Sequence, residues 1–187
     1  MPASRRDHLV DTALELFYRE GYHATGIDKI LAESGVAKMT LYNHFKSKDE
    51  LILAVLRRRD EKFRNWFMRN VEKRAKTPRQ RLLATFDALG EWFASKDFSG
   101  CAFINAAAEF ARHDNPIHAS AAEHKGLVLG YFRELAAAAG TGEPDVLARR
   151  LFLLGEGAIV DAHVTGNLDA ATHAKEAAEI LIGDAGL

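Results

Sequence analysis

Residues 27–45 read IDKILAESGVAKMTLYNHF. Ile27, Ile30 and Leu31 recur at helical spacing, Gly35 interrupts them, and Val36 and Leu41 resume the pattern on a second short run. A short helix, a glycine able to take positive φ and another short helix form a helix-turn-helix, its apolar side chains locking the two helices together and onto a preceding one. That packing leaves Lys38, Met39, Thr40, Tyr42, Asn43 and His44 outside, with Lys48 just beyond. Such side chains grip anions and meet base edges, and among them is no paired set for catalysis. Lysine pairs with guanine acceptors, asparagine with adenine, and Thr40 or Met39 meets a thymine methyl. Tyr42, His44 and Lys48 are spaced to meet the sugar-phosphate backbone, which positions without reading sequence. Thr25, where the first short helix opens, joins this DNA-facing set.

Outward from this stretch the whole chain repeats apolar residues at three and four, with no alternating strand, so the fold class is all-α. Ser4 with Asp7 opens a first helix that Gly21 closes, and Thr25 with Asp28 opens the second, through about Ser34. The third covers about Lys38 to Phe45. Ser47 with Glu50 makes a capping box for a long fourth helix to about Arg74, and Thr77, Pro78 and Gln80 repeat the device for a fifth, to about Ser95. A sixth spans about Gly100 to Arg112, a seventh follows Asn115-Pro116 to about Ala139, and the eighth and ninth cover roughly Pro144 to Thr165 and Asp169 to Ile182.

The 187 residues are 48% hydrophobic and 27% charged, the usage of an ordinary globular protein. No apolar run reaches the roughly 18 residues a membrane-spanning helix needs. Asp7, Asp11 and Glu15 interrupt the N-terminal apolar stretch, which excludes a secretory signal and predicts a cytoplasmic protein. Cys101 is the only cysteine, so no intrachain disulfide forms. Net charge is −1, yet residues 51–81 carry 11 basic side chains against 3 acidic, while residues 82–187 carry 7 against 15. A polyanion therefore meets the N-terminal part, with Arg5 or Arg6 assisting Lys38 and Lys48. For the basic run itself, VLRRRDEKFRNWFMRN, a solvated helix face is the competing reading.

The stretches TALELFYREGYHATGIDKI at 12–30 and AESGVAKMTLYNHFKSKDELI at 32–52 resemble the tetracycline-repressor (TetR) family of bacterial transcriptional regulators. Over about residues 5–55 the turn glycine, Leu-Tyr-x-His-Phe, Ser-Lys and the capping box occur in the family's order. The resemblance implies a nine-helix architecture, with a DNA-binding head at 1–48 and a ligand-binding and dimerisation domain at 49–187. It also implies a symmetric homodimer through the last two helices on a palindromic double-stranded operator, and a repressor released by a small-molecule effector. A bundle whose short helices merely pack is the competing reading.

Some residues of the body support this independently. The eighth helix is apolar on more than one face, with Gly155, Gly157 and Ala158 permitting close approach, and the ninth carries Ala171, Ala174, Ala178, Ile180 and Leu181. Cys101, Asn105, Glu109 and His113 recur every four residues on the sixth helix, a polar stripe suited to lining an effector pocket, unless it faces water or neighbouring helices. Glu109 and His113 with Glu156 and His163 offer four donors for a divalent metal, with His118 and His124 as further candidates. No cofactor is required, and a metal is one alternative effector. An electrophile acting at Cys101 is another, against an inert thiol. A helical enzyme is the remote alternative, for the chain has no Gly-x-Ser-x-Gly, no phosphate-cradling glycine loop and no HExxH.

Overall fold

The computed structural model describes residues 4–187, which hold nine α-helices and no strand. They are α1 (Arg5–Glu20), α2 (Ile27–Ser34), α3 (Lys38–His44), α4 (Lys48–Arg74), α5 (Pro78–Phe93), α6 (Ala102–Glu109), α7 (Pro116–Ala139), α8 (Pro144–Thr165) and α9 (Ala170–Asp184). The chain folds into two compact units. One unit runs up to residue 62 and includes 102–124, and the other holds 63–101 with 125–187.

In the first unit, the Ser4 hydroxyl accepts from the Asp7 amide at 3.1 Å and so caps α1, which buries Leu9, Val10, Ala13, Leu16 and Phe17. Gly21, at φ 91°, ends the helix. The opening of α2 departs from expectation. Its N-cap is Gly26, with no side-chain cap, while Thr25 is fully buried and its hydroxyl donates to the Gly21 carbonyl at 2.8 Å. Gly35 at φ 63° supplies the left-handed turn into α3. Ile30, Leu41, Phe45, Leu51 and Ile52 complete the core beneath these helices. The capping box of α4 is displaced by one residue: Ser47 accepts from the Glu50 amide at 3.2 Å, but the Glu50 carboxylate accepts from the amide of Lys46 at 2.8 Å. Much of the basic run is spent internally. Arg58 meets Asp7 at 2.5 Å, Lys62 meets Asp11 at 2.7 Å, and the Arg59 guanidinium lies over the Tyr18 ring, so α4 is tied along α1.

In the second unit the capping box of Thr77 and Gln80 is complete, at 3.3 and 3.4 Å. α5 packs on α9 and α8, and α8 packs on α9. Most of the small residues singled out for a partner helix serve this internal packing, Gly157 excepted. A Cβ on Gly155 would stand 3.5 Å from Leu89, a Cβ on Gly90 would stand 3.5 Å from Ala171, and Ala158, Ala174 and Ala178 are buried. The apolar side chains that stay exposed on α8, Val146, Leu153, Val160 and Val164, share one stripe at helical spacing with Gly157, beside the exposed Arg149 and Arg150; Ile180 is exposed on α9. Among the described residues no helix is long and apolar enough to cross a membrane.

Candidate nucleic-acid interface

α3 buries Leu41 and turns its other side chains outward. Met39 is 74% exposed and Tyr42 46%, and Lys38, Asn43 and His44 are exposed, while Thr40 is half-buried. Lys38 stands 3.5 Å from Asp28 on α2, both open to solvent, an ion pair weak enough for a phosphate or a guanine to displace. Lys48 is half-buried, and its ammonium donates to the His23 carbonyl at 3.2 Å and lies 5.9 Å from the Phe17 ring centroid. It therefore braces the head as well as carrying charge to its surface. The Arg6 guanidinium sits over the Phe45 ring at 5.3 Å, at the exposed start of α1. Thr25 leaves the expected set: with no exposed surface and its hydroxyl committed to Gly21, it shapes the turn and cannot touch a duplex.

Glu109 has a role that the sequence did not disclose. Its carboxylate accepts from the backbone amides of Tyr22 at 2.8 Å and His23 at 2.6 Å, joining the end of α6 to the turn between α1 and α2. No periodicity or capping pattern in the sequence pairs residue 22 with residue 109. The only local sign was Gly21, where a Cβ would come within 3.1 Å of Glu109 Oε1.

The expected polar stripe of the sixth helix is shorter than its sequence pattern. Gly100, at φ 74°, holds Cys101 ahead of α6, and the helix stops at Glu109, so His113 lies beyond it. Asn105 is half-buried on α6. Cys101 is buried in the second unit with Lys125 Nζ 3.4 Å from its sulfur, and the same ammonium pairs with Glu156 at 2.6 Å. His163 packs on the Gly100 backbone, where an added Cβ would lie 2.4 Å from its Nδ1. The His113 and His118 rings are 4.6 Å apart, His118 Nδ1–H donates to the Phe110 carbonyl at 2.9 Å, and buried His124 stacks on Phe103 and meets Asp60 at 2.7 Å. Glu109 and His113 lie in the first unit and Glu156 and His163 in the second. Among the described residues no three His, Cys, Asp or Glu side chains gather, because the two glutamates are committed to backbone amides and to a lysine.

A groove of about 200 Å³ opens in the second unit between α4 and α7, lined by Arg64, Phe67, Met68, Leu127, Tyr131 and Glu134. A Cβ on Gly126 or Gly130 beside it would meet nothing within 4 Å. The Tyr131 hydroxyl is buried and finds no hydrogen-bond partner among the described residues. Burial, followed by the nearby charge of Glu72, pushes its phenol up to about 12, so it stays a neutral donor.

Comparison with known proteins agrees with this geometry. Residues 9–55 match the family described as "Bacterial regulatory proteins, tetR family", and residues 78–178 match "Tetracyclin repressor-like, C-terminal domain". The chain is 40% identical over 100 residues to the HTH-type transcriptional activator FasR of Mycolicibacterium smegmatis, covering 54% of this chain and 45% of that one. It is 34% identical over 101 residues to the HTH-type transcriptional repressor ComR of Escherichia coli, covering 54% and 48%. Each match thus spans about half the length of the curated relative. A TetR-family transcriptional regulator from Streptomyces coelicolor has a crystal structure that superposes with a TM-score of 0.90 at 31% identity, over 98% of this chain and 96% of that one.

Proposed function

This chain belongs to the tetR family of bacterial regulatory proteins, and from that membership we propose that it binds duplex DNA as a homodimer and regulates transcription in the cytoplasm. The observation that carries the reading is the face of α3: Lys38, Met39, Tyr42, Asn43 and His44 are exposed on a helix that buries Leu41. A helix so presented enters a major groove with its leading residues at base edges, while Tyr42, His44 and Lys48 take the flanking phosphates.

Homodimerisation is supported by the exposed stripe Leu153, Gly157, Val160 and Val164 of α8 with Ile180 of α9. Two heads related by a twofold axis read a pseudo-palindrome. We assign repression as the direction, with an activator and a repressor both among the relatives. A small molecule releases the operator by binding better to an arrangement of the heads that no longer fits successive grooves. The groove between α4 and α7 is the entry favoured for it, since the Tyr131 hydroxyl offers an unused hydrogen bond. An electrophile at Cys101 is the second reading, favoured by the lysine ammonium beside the sulfur. No catalytic role is assigned.

The test is a mobility-shift titration with duplex from the region upstream of the gene. Saturable binding that weakens steeply with salt is expected, and no binding at low salt contradicts the reading.

A further inference from the structure

We propose that Glu109 is a positioning residue for operator binding, the anchor that fixes the turn between α1 and α2 and through it the presentation of α3. The inference rests on the DNA-binding reading above and adds to it a residue 65 positions beyond the end of α3.

Residues 21–25 form a junction. At one end of α6 the Glu109 carboxylate takes the amides of both Tyr22 and His23, and at the other the Tyr22 hydroxyl donates to the Ala102 carbonyl at 3.0 Å. The same dipeptide is thus tied to both ends of one helix. His23 Nε2–H returns a bond to the Glu109 carbonyl at 3.1 Å, and its ring lies 4.6 Å from that of Phe110. On its other side the junction faces the head. The His23 carbonyl accepts from Lys48 at the start of α4, and the Gly21 carbonyl accepts from Thr25 just before α2.

The chemistry favours a carboxylate here. Two successive amides both point at one acceptor group, and the two charged oxygens of Glu109 take one each, Oε1 from Tyr22 and Oε2 from His23. Gly21 meets the same requirement from the other side. Its φ of 91° and the 3.1 Å that a Cβ would leave to Glu109 Oε1 reserve that position for glycine. Without the carboxylate the turn has several orientations instead of one, and α3 is presented for its groove only part of the time. Affinity for the operator falls by that fraction, whereas loose phosphate contact with any duplex tolerates the loss.

The experiment compares full-length wild type with Glu109→Gln, which keeps the shape but turns an amide N–H₂ toward one of the two donors, and with Glu109→Asp. Binding to the operator fragment and to an unrelated duplex is titrated side by side, with thermal melting and hydrogen exchange at the Tyr22 and His23 amides. The expected result is an operator-to-unrelated affinity ratio about tenfold lower in Glu109→Gln, with both amides exchanging faster. Binding to unrelated duplex is unchanged, and Glu109→Asp retains part of the ratio. If Glu109→Gln does not fold, Glu109→Asp carries the test, with a ratio below that of wild type expected. An unchanged ratio in the folded variant overturns the positioning role, as does a fall in both affinities in step with the melting temperature. Unaltered exchange at the two amides overturns the anchor itself. Wild type that binds no duplex sinks the DNA-binding reading and this role together, whereas wild-type binding with an unchanged ratio in the variant sinks this role alone.

Discussion

At position 39 a thioether stands in solvent on α3, beside Lys38 and one turn before Tyr42 and Asn43. Under the proposed DNA-binding reading, this exposed thioether is placed to meet a thymine methyl. The division of labour along the helix is open to measurement. Replacing Lys38 or Thr40 with alanine weakens binding and blurs preference among operator variants. Replacing Tyr42 or Lys48 lowers affinity for all sequences alike, and Lys48→Ala also lowers the salt slope by about 0.9. Equal blurring across the four variants contradicts this assignment. Tyr131→Phe bears on the body. Removing a buried hydroxyl that has no partner stabilises the chain by about 1 kcal/mol, and a urea midpoint that falls instead shows the hydroxyl to be engaged. Asp7 gives a pH test. The Ser4 hydroxyl first, then Arg58 and Arg6, hold its carboxyl below the usual range. A depressed carboxylate stabilises the fold above its unfolded value and loses that contribution as pH falls through the folded one. The stability gap between wild type and Asp7→Asn is therefore present at neutral pH and closes in acid below about pH 4; a gap that persists there contradicts the assignment.

Among the helices, the ends were legible wherever a local device fixed them. Ser4, Gly21, Gly35, Thr77 with Gln80 and Asn115-Pro116 all lie where periodicity and capping chemistry place them, since those interactions act over three or four residues. Gly35 tests this directly. Its φ is left-handed but a Cβ there would meet nothing within 4 Å, so Gly35→Ala costs only backbone strain, about 1 kcal/mol. A loss of several kcal/mol in denaturant melts would mean that the position is crowded. Illegible elements were those shaped by distant partners. α6 ends at Glu109 instead of Arg112, and its carboxylate faces a turn 86 residues away in the chain; no periodicity encodes that meeting. Thr25 has the sequence of an N-cap but folds back on Gly21, a choice made by the burial of the turn. Of the histidines and glutamates that looked like a metal set, Glu156 and His163 keep their helical spacing on α8, whereas His113 falls past the end of α6, and Glu109 and Glu156 are taken by backbone amides and by Lys125. For the face of α3 the sequence sufficed, because exposure on a seven-residue helix follows from one buried leucine.

For the whole molecule, the account needs two heads acting together. The α8 stripe is the surface assigned to that task, and Val160→Glu places a carboxylate at its middle. The expected outcome is a monomer by sedimentation and an operator affinity about a hundredfold lower, with each head still contacting unrelated duplex weakly. A dimer that survives the substitution moves the interface elsewhere. The most direct measurement of the central claim is selection of bound duplexes from a random pool by the purified protein, followed by sequencing. The account predicts enriched sequences with two inverted half-sites whose centres lie about 10 base pairs or a multiple apart, and loss of that enrichment when Lys38 and Asn43 are replaced together. A pool that stays random, or enrichment indifferent to those two residues, contradicts it.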